Sequence, residues 1–600
     1  MNESKTLLKR EETNPVHHWR IEDLFATDTD WKKACEDITL WLPLLSSYQG
    51  TFSSSSQSLF DCLQLQDKIG QRLEEVYVYS HMKLHEDTTN AHYQSLAQEA
   101  TSIQIKVSTA LSFIIPEILA LPTELLKNYM DTNTNLELYR TYLNNILRQK
   151  DHILSAELEQ FLAEANVLGQ APQQIYTMIN DADLRFPTVE DEDGDMIEIT
   201  KGRFIQLLES SNRKVRKDTF EKFYSTYNKQ RNTLASTLNA AIQSDVFFAK
   251  QRKYNTALEA ALDANQIPVS VYDQLIETVH QHLPLMHRYV DLRKKRLGVD
   301  ELHMYDLYTP IVKDVNMVIP YEKAKELTIK GLAPLGEDYG ALLQSGYREG
   351  WIDVYENEGK RSGAYSWGAY GTHPYVLMNY QDNVNNLFTL AHEMGHALHS
   401  HYSDTTQPYV YAAYKIFVAE VASTVNEALL MDYMLKNAND PQEKAYLINY
   451  FMEQFRGTLY RQTMFAEFEK ITHTMIEEGK SLTADILCEI YGELNRKYYG
   501  PHMVVDDEIC MEWARIPHFY RGFYVYQYAT GYSAAIALSQ RILEEGTPAV
   551  EDYLSFLKGG SSSDPIELLK KAGVDMTSSE PIEKALQVFE NLLNQMEQLD

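Results

Sequence analysis

The chain has 600 residues, 44% hydrophobic and 23% charged, a globular composition too long for a single core, so two or more lobes are expected. Its formal net charge of −30 argues against a nucleic-acid or anionic-membrane surface as partner. The Met1 end carries Lys5, Lys9 and Arg10 without a following apolar core, so it does not read as a secretion signal, and no run approaches the length of a membrane span. Cys35, Cys62, Cys488 and Cys510 form no Cys-x-x-Cys pair, which points to free thiols in a reducing cytoplasm.

From Trp31 to Met178 apolar residues recur at three and four, as in Leu59-Phe60, Leu63 and Ile103, Val107, Leu111, and the spacing predicts long antiparallel helices. Breaks are expected at Asn133–Asn135 and at Gly169–Pro172. Phe186–Thr200 reads as a small hairpin turning at Asp193-Gly194. It closes an N-terminal lobe over residues 1–200, and residues 201–600 form the second domain. Helices resume at Lys201, break at Asn265–Val269, and give way to a connection over Tyr305–Pro320. Trp351–Tyr380 is the most strand-like region, either an ordinary small sheet or an edge to which an extended peptide can add.

The next helix is expected to start near Asp382 or Asn383, both good N-caps, and contains His392-Glu393-Met394-Gly395-His396. Histidines four apart on a helix lie about 40° apart and roughly 6 Å along the axis, so both imidazoles can hold one metal ion. Glu393 falls beside that site, where a general base for water belongs. Val384, Leu387, Phe388, Ala391, Met394, Gly395 and Leu398 fall on the opposite arc, the buried one.

A catalytic zinc takes three protein ligands and keeps a position for water. His399 shares the face but lies about 10 Å along the axis from His392, too far for one ion to bind it together with His392 and His396. Glu420 lies on a second amphipathic helix beginning near Ile416 and is the favoured third ligand. Glu427, seven residues on and on the same face, can accept a hydrogen bond from a ligand histidine.

At these residues the chain resembles the oligoendopeptidase F group of the thimet oligopeptidase-like (M3) family of zinc metallopeptidases. The resemblance is carried by the block from Gly359 to Gly368, by His392–His396, by Phe417–Thr424, by Ile516–Gly531, and by Asp564-Pro565 with Ala572–Met576. It implies a mainly α, two-lobed zincin-type fold with a small β-sheet beside the active-site helix and a deep central channel. It also implies one zinc per chain on His392, His396 and Glu420, with Glu427 behind them, and cleavage of short peptides. In related enzymes a histidine and tyrosines from the Ile516–Gly531 region contact the substrate. His518 and Tyr526 are therefore assigned to the oxyanion, and Tyr524 and Tyr532 to substrate binding; an aromatic core stripe is the competing reading for part of this run.

The expected function is that of a cytoplasmic zinc endopeptidase acting on oligopeptides, with Glu393 as proton acceptor and the peptide along Gly363, Ala364 and Tyr365. The alternatives are an exopeptidase, for which no terminus-capturing group is readable, and a helical binding protein with a vestigial metal site. Cleavage preference, substrate length and oligomeric state are not written in the sequence.

Overall fold

The three- and four-residue apolar spacing does become helix over most of the chain, and only short strands interrupt it. The computed structural model describes residues 7–312, 315 and 317–599. It divides into two compact units that do not follow the expected boundary at residue 200. Of the described residues, the first takes those within 7–151, 317–433 and 538–573; the second takes those within 152–312, 315, 434–537 and 574–599. The departure has a packing cause. The N-terminal helices share one apolar core with Ala369, Tyr375 and Leu377, which lie more than 200 residues further along the chain.

In the first unit, helices Asp28–Ser46, Ser56–Glu86 and Ala91–Leu111 pack side by side. Trp31, Ile38, Leu59, Ile69, Val76, Ile103 and Val107 are buried between them, and Trp31 Nε1 donates to the Val76 carbonyl at 2.9 Å. One stretch, Ala91–Ala120, is long and apolar enough to cross a membrane by length and composition, which corrects the expectation that none would be. It folds as two helices, Ala91–Leu111 and Ile114–Ala120, and Leu96, Ala100, Ile103 and Val107 are buried. A core-facing amphipathic helix can pass a composition test meant for a membrane span.

The expected strand region is a three-stranded sheet in this unit. Thr188–Glu190 and Met196–Glu198 are β1 and β2, Leu302–His303 is β3, Ile352–Asp353 is β4, Tyr365–Trp367 is β5, Tyr375–Leu377 is β6 and Met503–Val504 is β7. Within the first unit the order is β4-β6-β5. β6 is central, parallel to β4 through Ile352↔Val376 and antiparallel to β5 through Tyr365↔Leu377. β5 is therefore an edge strand, and it lies against helix Val384–Thr406. The other end of the sheet is tied to the N-terminal segment. Asp353 is buried and accepts from Arg10 Nη1 at 2.8 Å, and it lies 2.7 Å from Lys360 Nζ. Burial works against its charge, but those two cations hold its carboxyl below the usual range.

In the second unit the hairpin forms as expected, with Thr188↔Glu198 and Glu190↔Met196 paired. The break expected at Gly169–Pro172 does not occur: helix Ala156–Thr177 runs through both residues. Pro172 removes one internal hydrogen bond without ending the helix. Gly169 serves packing instead, since an added Cβ there would stand 2.6 Å from Ser244 Oγ. Two buried acids of this unit, Asp306 and Glu512, are paired with arginines. Asp306 holds Arg216 at 2.8 Å and Arg213 at 2.9 Å, and Glu512 accepts from Arg461 at 2.7 Å, Arg515 at 2.6 Å and Tyr491 at 2.6 Å.

Candidate metal centre

Helix Val384–Thr406 begins where its cap predicts: the Asn383 side chain accepts from the Asn386 backbone N–H at 2.9 Å. Val384, Leu387, Phe388, Ala391, Met394, Gly395 and Leu398 are all buried, as the wheel requires. His392 and His396 are left on the other arc, with ring centroids 4.8 Å apart and planes at 82°.

Helix Ile416–Asn437 supplies the third donor. Glu420 Oε2 lies 3.2 Å from His392 Nε2 and 3.4 Å from His396 Nε2. One ligand atom from each of the three residues falls within 4.8 Å of the others. Glu427 Oε1 lies 2.5 Å from His392 Nδ1. A carboxylate there keeps the proton on Nδ1 and leaves the Nε2 lone pair for a metal. Two imidazole nitrogens and one carboxylate oxygen form a donor set that suits a divalent cation of the zinc class.

The electrostatics agree with that donor set. Burial disfavours a charged His392, yet Glu420 and Glu427 hold it well above its ordinary pKa, so the site attracts positive charge. Glu420 is also desolvated, and the two imidazoles more than offset this, keeping its carboxyl well below the usual range. Glu393 is only 7% exposed; burial raises its carboxyl, partly countered by His392 and His396.

Two residues set the helix spacing: Asn426, which the sequence reading passed over, and Gly395, which it placed only on the buried arc. Asn426 Nδ2 donates to the Ala391 carbonyl at 3.1 Å while its Oδ1 accepts from Tyr339 Oη at 2.8 Å, tying the two helices together at the residue just before His392. Gly395 is the closest approach: a Cβ there would lie 2.6 Å from Ser423 Cα and 2.8 Å from the Ala422 carbonyl. Gly395→Ala must push back backbone, so a loss of about 1–3 kcal/mol is expected. It would appear as a lower denaturant midpoint together with weakened metal affinity, because Glu420 moves with Ser423; unchanged values of both would contradict the close fit. The signal was present as the small residue between two ligand positions.

His399 is not a ligand. It is 1% exposed, stacked on Tyr414 at 3.8 Å with Phe556 at 5.5 Å, and burial drives its pKa down to about 3. Gly363 and Ala364 lead into the edge strand, where Asn379 Nδ2 donates to the Gly363 carbonyl at 2.8 Å. Tyr365 Oη is engaged by His85 Nδ1 at 2.6 Å.

The His518 segment belongs to the second unit. His518 is exposed, with Tyr524 and Tyr528 each 6.0 Å away and 5.6 Å from each other, and the Arg521 guanidinium lies 4.2 Å over the Tyr524 ring. Tyr526, assigned to the oxyanion, and Tyr532, assigned to substrate binding, are turned inward. Tyr526 is 1% exposed against Tyr272 at 5.1 Å, and Tyr532 is buried against Phe455 at 5.0 Å. Helix Tyr526–Glu545 starts at the first of these, and its inward face takes residues 526, 529 and 532. Tyr528, not assigned a role from sequence, takes the outward position.

Residues 206–588 match the family model for peptidase family M3, and residues 117–186 match that for oligopeptidase F. Oligopeptidase PepF of Bacillus subtilis is 50% identical over 590 residues, covering 98% of this chain and 88% of that protein. Group B oligopeptidase PepB of Streptococcus agalactiae is 42% identical over 583 residues, 97% of each chain. Among solved structures, oligoendopeptidase-F from Enterococcus faecium superposes with TM-score 0.75 at 40% identity, over 95% of this chain and 99% of that one. A putative peptidase from Chlamydophila abortus gives TM-score 0.93 at 35% identity, over 99% and 100%. With its histidine pair and acidic third donor in place, the chain belongs to peptidase family M3 and is a metallopeptidase of the oligopeptidase F group.

Proposed function

We propose that the protein is a zinc-dependent endopeptidase that cleaves short peptides in the cytoplasm. The observation that carries this reading is the cluster of His392, His396 and Glu420 with Glu393 on the same helix turn and Glu427 behind His392. His392, His396 and Glu420 would hold the ion, which when bound supplies Lewis-acid polarisation of the scissile carbonyl and makes water a nucleophile near neutral pH. Glu393 takes the proton of the attacking water and passes it to the leaving nitrogen, so the carboxylate is regenerated and the amine departs neutral. Glu427 holds the His392 imidazole in one tautomer throughout.

His518 serves as a neutral donor to the developing oxyanion. Partial desolvation at its exposed position and the charges of Arg461 and Arg521 lower its pKa, which favours the uncharged ring. Tyr524 and Tyr528, partly exposed beside it, replace Tyr526 and Tyr532 as the aromatic contacts. The peptide lies along the free edge of β5. Relatives named oligopeptidase and oligoendopeptidase support a short-peptide substrate. The four free cysteines favour a reducing compartment.

Mass mapping of the products from an end-blocked peptide and its free counterpart, with and without a chelator, tests the reading. Internal cleavage of both peptides is expected, with at least a tenfold loss on chelation that is restored by zinc. Cleavage confined to free termini would make the enzyme an exopeptidase; chelator-insensitive cleavage would remove the metal from the reaction.

A further inference from the structure

The loop entering β5 carries a positive charge that the reaction above does not use. Arg361 is exposed, and among the described residues no carboxylate lies within ion-pair distance of it. Its neighbour Lys360 is already neutralised by Asp353 at 2.7 Å. An unpaired guanidinium is notable in a chain of net charge −30.

The group is held in place. One Arg361 N–H donates to His85 Nε2 at 2.9 Å, and the guanidinium lies 5.5 Å over the Tyr365 ring. A guanidinium only donates, so His85 Nε2 must accept and its proton is on Nδ1, donated to Tyr365 Oη at 2.6 Å. The backbone is fixed as well: Arg361 N–H donates to the His85 carbonyl at 3.0 Å, and Asn379 Nδ2 donates to the Arg361 carbonyl at 3.0 Å. The one side-chain bond takes a single donor of the fork on an exposed residue, a pre-organised geometry for a carboxylate.

Strand direction decides which carboxylate. Arg361 precedes the N-terminal end of β5, whose outer edge is unpaired among the described residues. A peptide pairing antiparallel with that edge brings its C-terminal end beside Arg361. A parallel peptide would bring its ammonium group there, against a fixed cation. We propose that Arg361 captures the C-terminal carboxylate of the peptide, and so selects the antiparallel direction and the number of residues after the scissile bond. This rests on the reading that the substrate pairs with β5.

The test uses a ladder of quenched peptides that differ in the number of residues after the cleaved bond, each made as the free acid and as the C-terminal amide. At one length the wild-type enzyme is expected to prefer the acid about fivefold in kcat/KM, chiefly through KM, with the preference fading as salt rises. Arg361→Gln should bring that acid-to-amide ratio to about one, and Arg361→Lys should restore part of it. A ratio near one at every length in the wild type, or a ratio unchanged in Arg361→Gln, would overturn the proposal. An equal loss on both substrates counts among the latter, because it leaves the ratio where it was. N-methylation of the peptide's alternate amides tests strand pairing separately: KM rises if β5 receives the peptide, whether or not Arg361 reads its end.

Discussion

Glu393→Gln is expected to keep a full complement of metal and lower kcat/KM by about a thousandfold, equivalent to ~4 kcal/mol of transition-state stabilisation. The substitution preserves shape and hydrogen bonding but removes the capacity to accept a proton. Metal content should hold because Glu393 is not among the three donors that converge, which are His392, His396 and Glu420. The loss should be in kcat, because Glu393 acts on the attacking water and the leaving nitrogen, with peptide binding assigned to the β5 edge. The measurement pairs metal analysis of the purified variant with steady-state kinetics on a quenched peptide. Residual activity above about one tenth would assign proton transfer to another group.

Glu420→Ala should act on the other half of the site. The carboxylate contributes one of three donors and the negative charge that faces His392 and His396 at 3.2 and 3.4 Å. Changes merely behind a ligand cost 10–100-fold in metal affinity as a rule, so loss of a ligand itself is expected to cost more than about 100-fold, with activity falling in parallel. Equilibrium dialysis against a metal buffer measures it. Unchanged affinity would require a substitute donor. His399 is a poor one, since its ring is packed between Tyr414 and Phe556. Excess zinc should rescue part of the activity of Glu420→Ala and none of that of Glu393→Gln, which separates ligand from base.

The features legible from sequence were those set by short-range geometry. The spacing of His392 and His396 specifies a shared helical face whatever the rest of the chain does, and the Asn383 cap specifies where that helix begins. The same holds for the hairpin over residues 188–198. Glu420 and Glu427 were legible as a pair, since seven residues return a helix to nearly the same face. Gly169 misled because a glycine beside a proline signals a break equally well when its actual role is to admit Ser244.

Tertiary structure decided what depended on partners distant in the chain. Arg10 and Lys360 converge on Asp353, and Ala369, Tyr375 and Leu377 join the core of the N-terminal helices; no local pattern announces such contacts, so a boundary at residue 200 looked natural and was not the one adopted. In the aromatic run from His518 to Tyr532, a one- or two-residue change in where helix begins exchanges inward and outward tyrosines, and only packing against Tyr272 and Phe455 chose Tyr526 and Tyr532 for the interior. Helical periodicity is a property of the backbone and survives in the sequence, whereas the choice of which face is covered belongs to whatever packs against it.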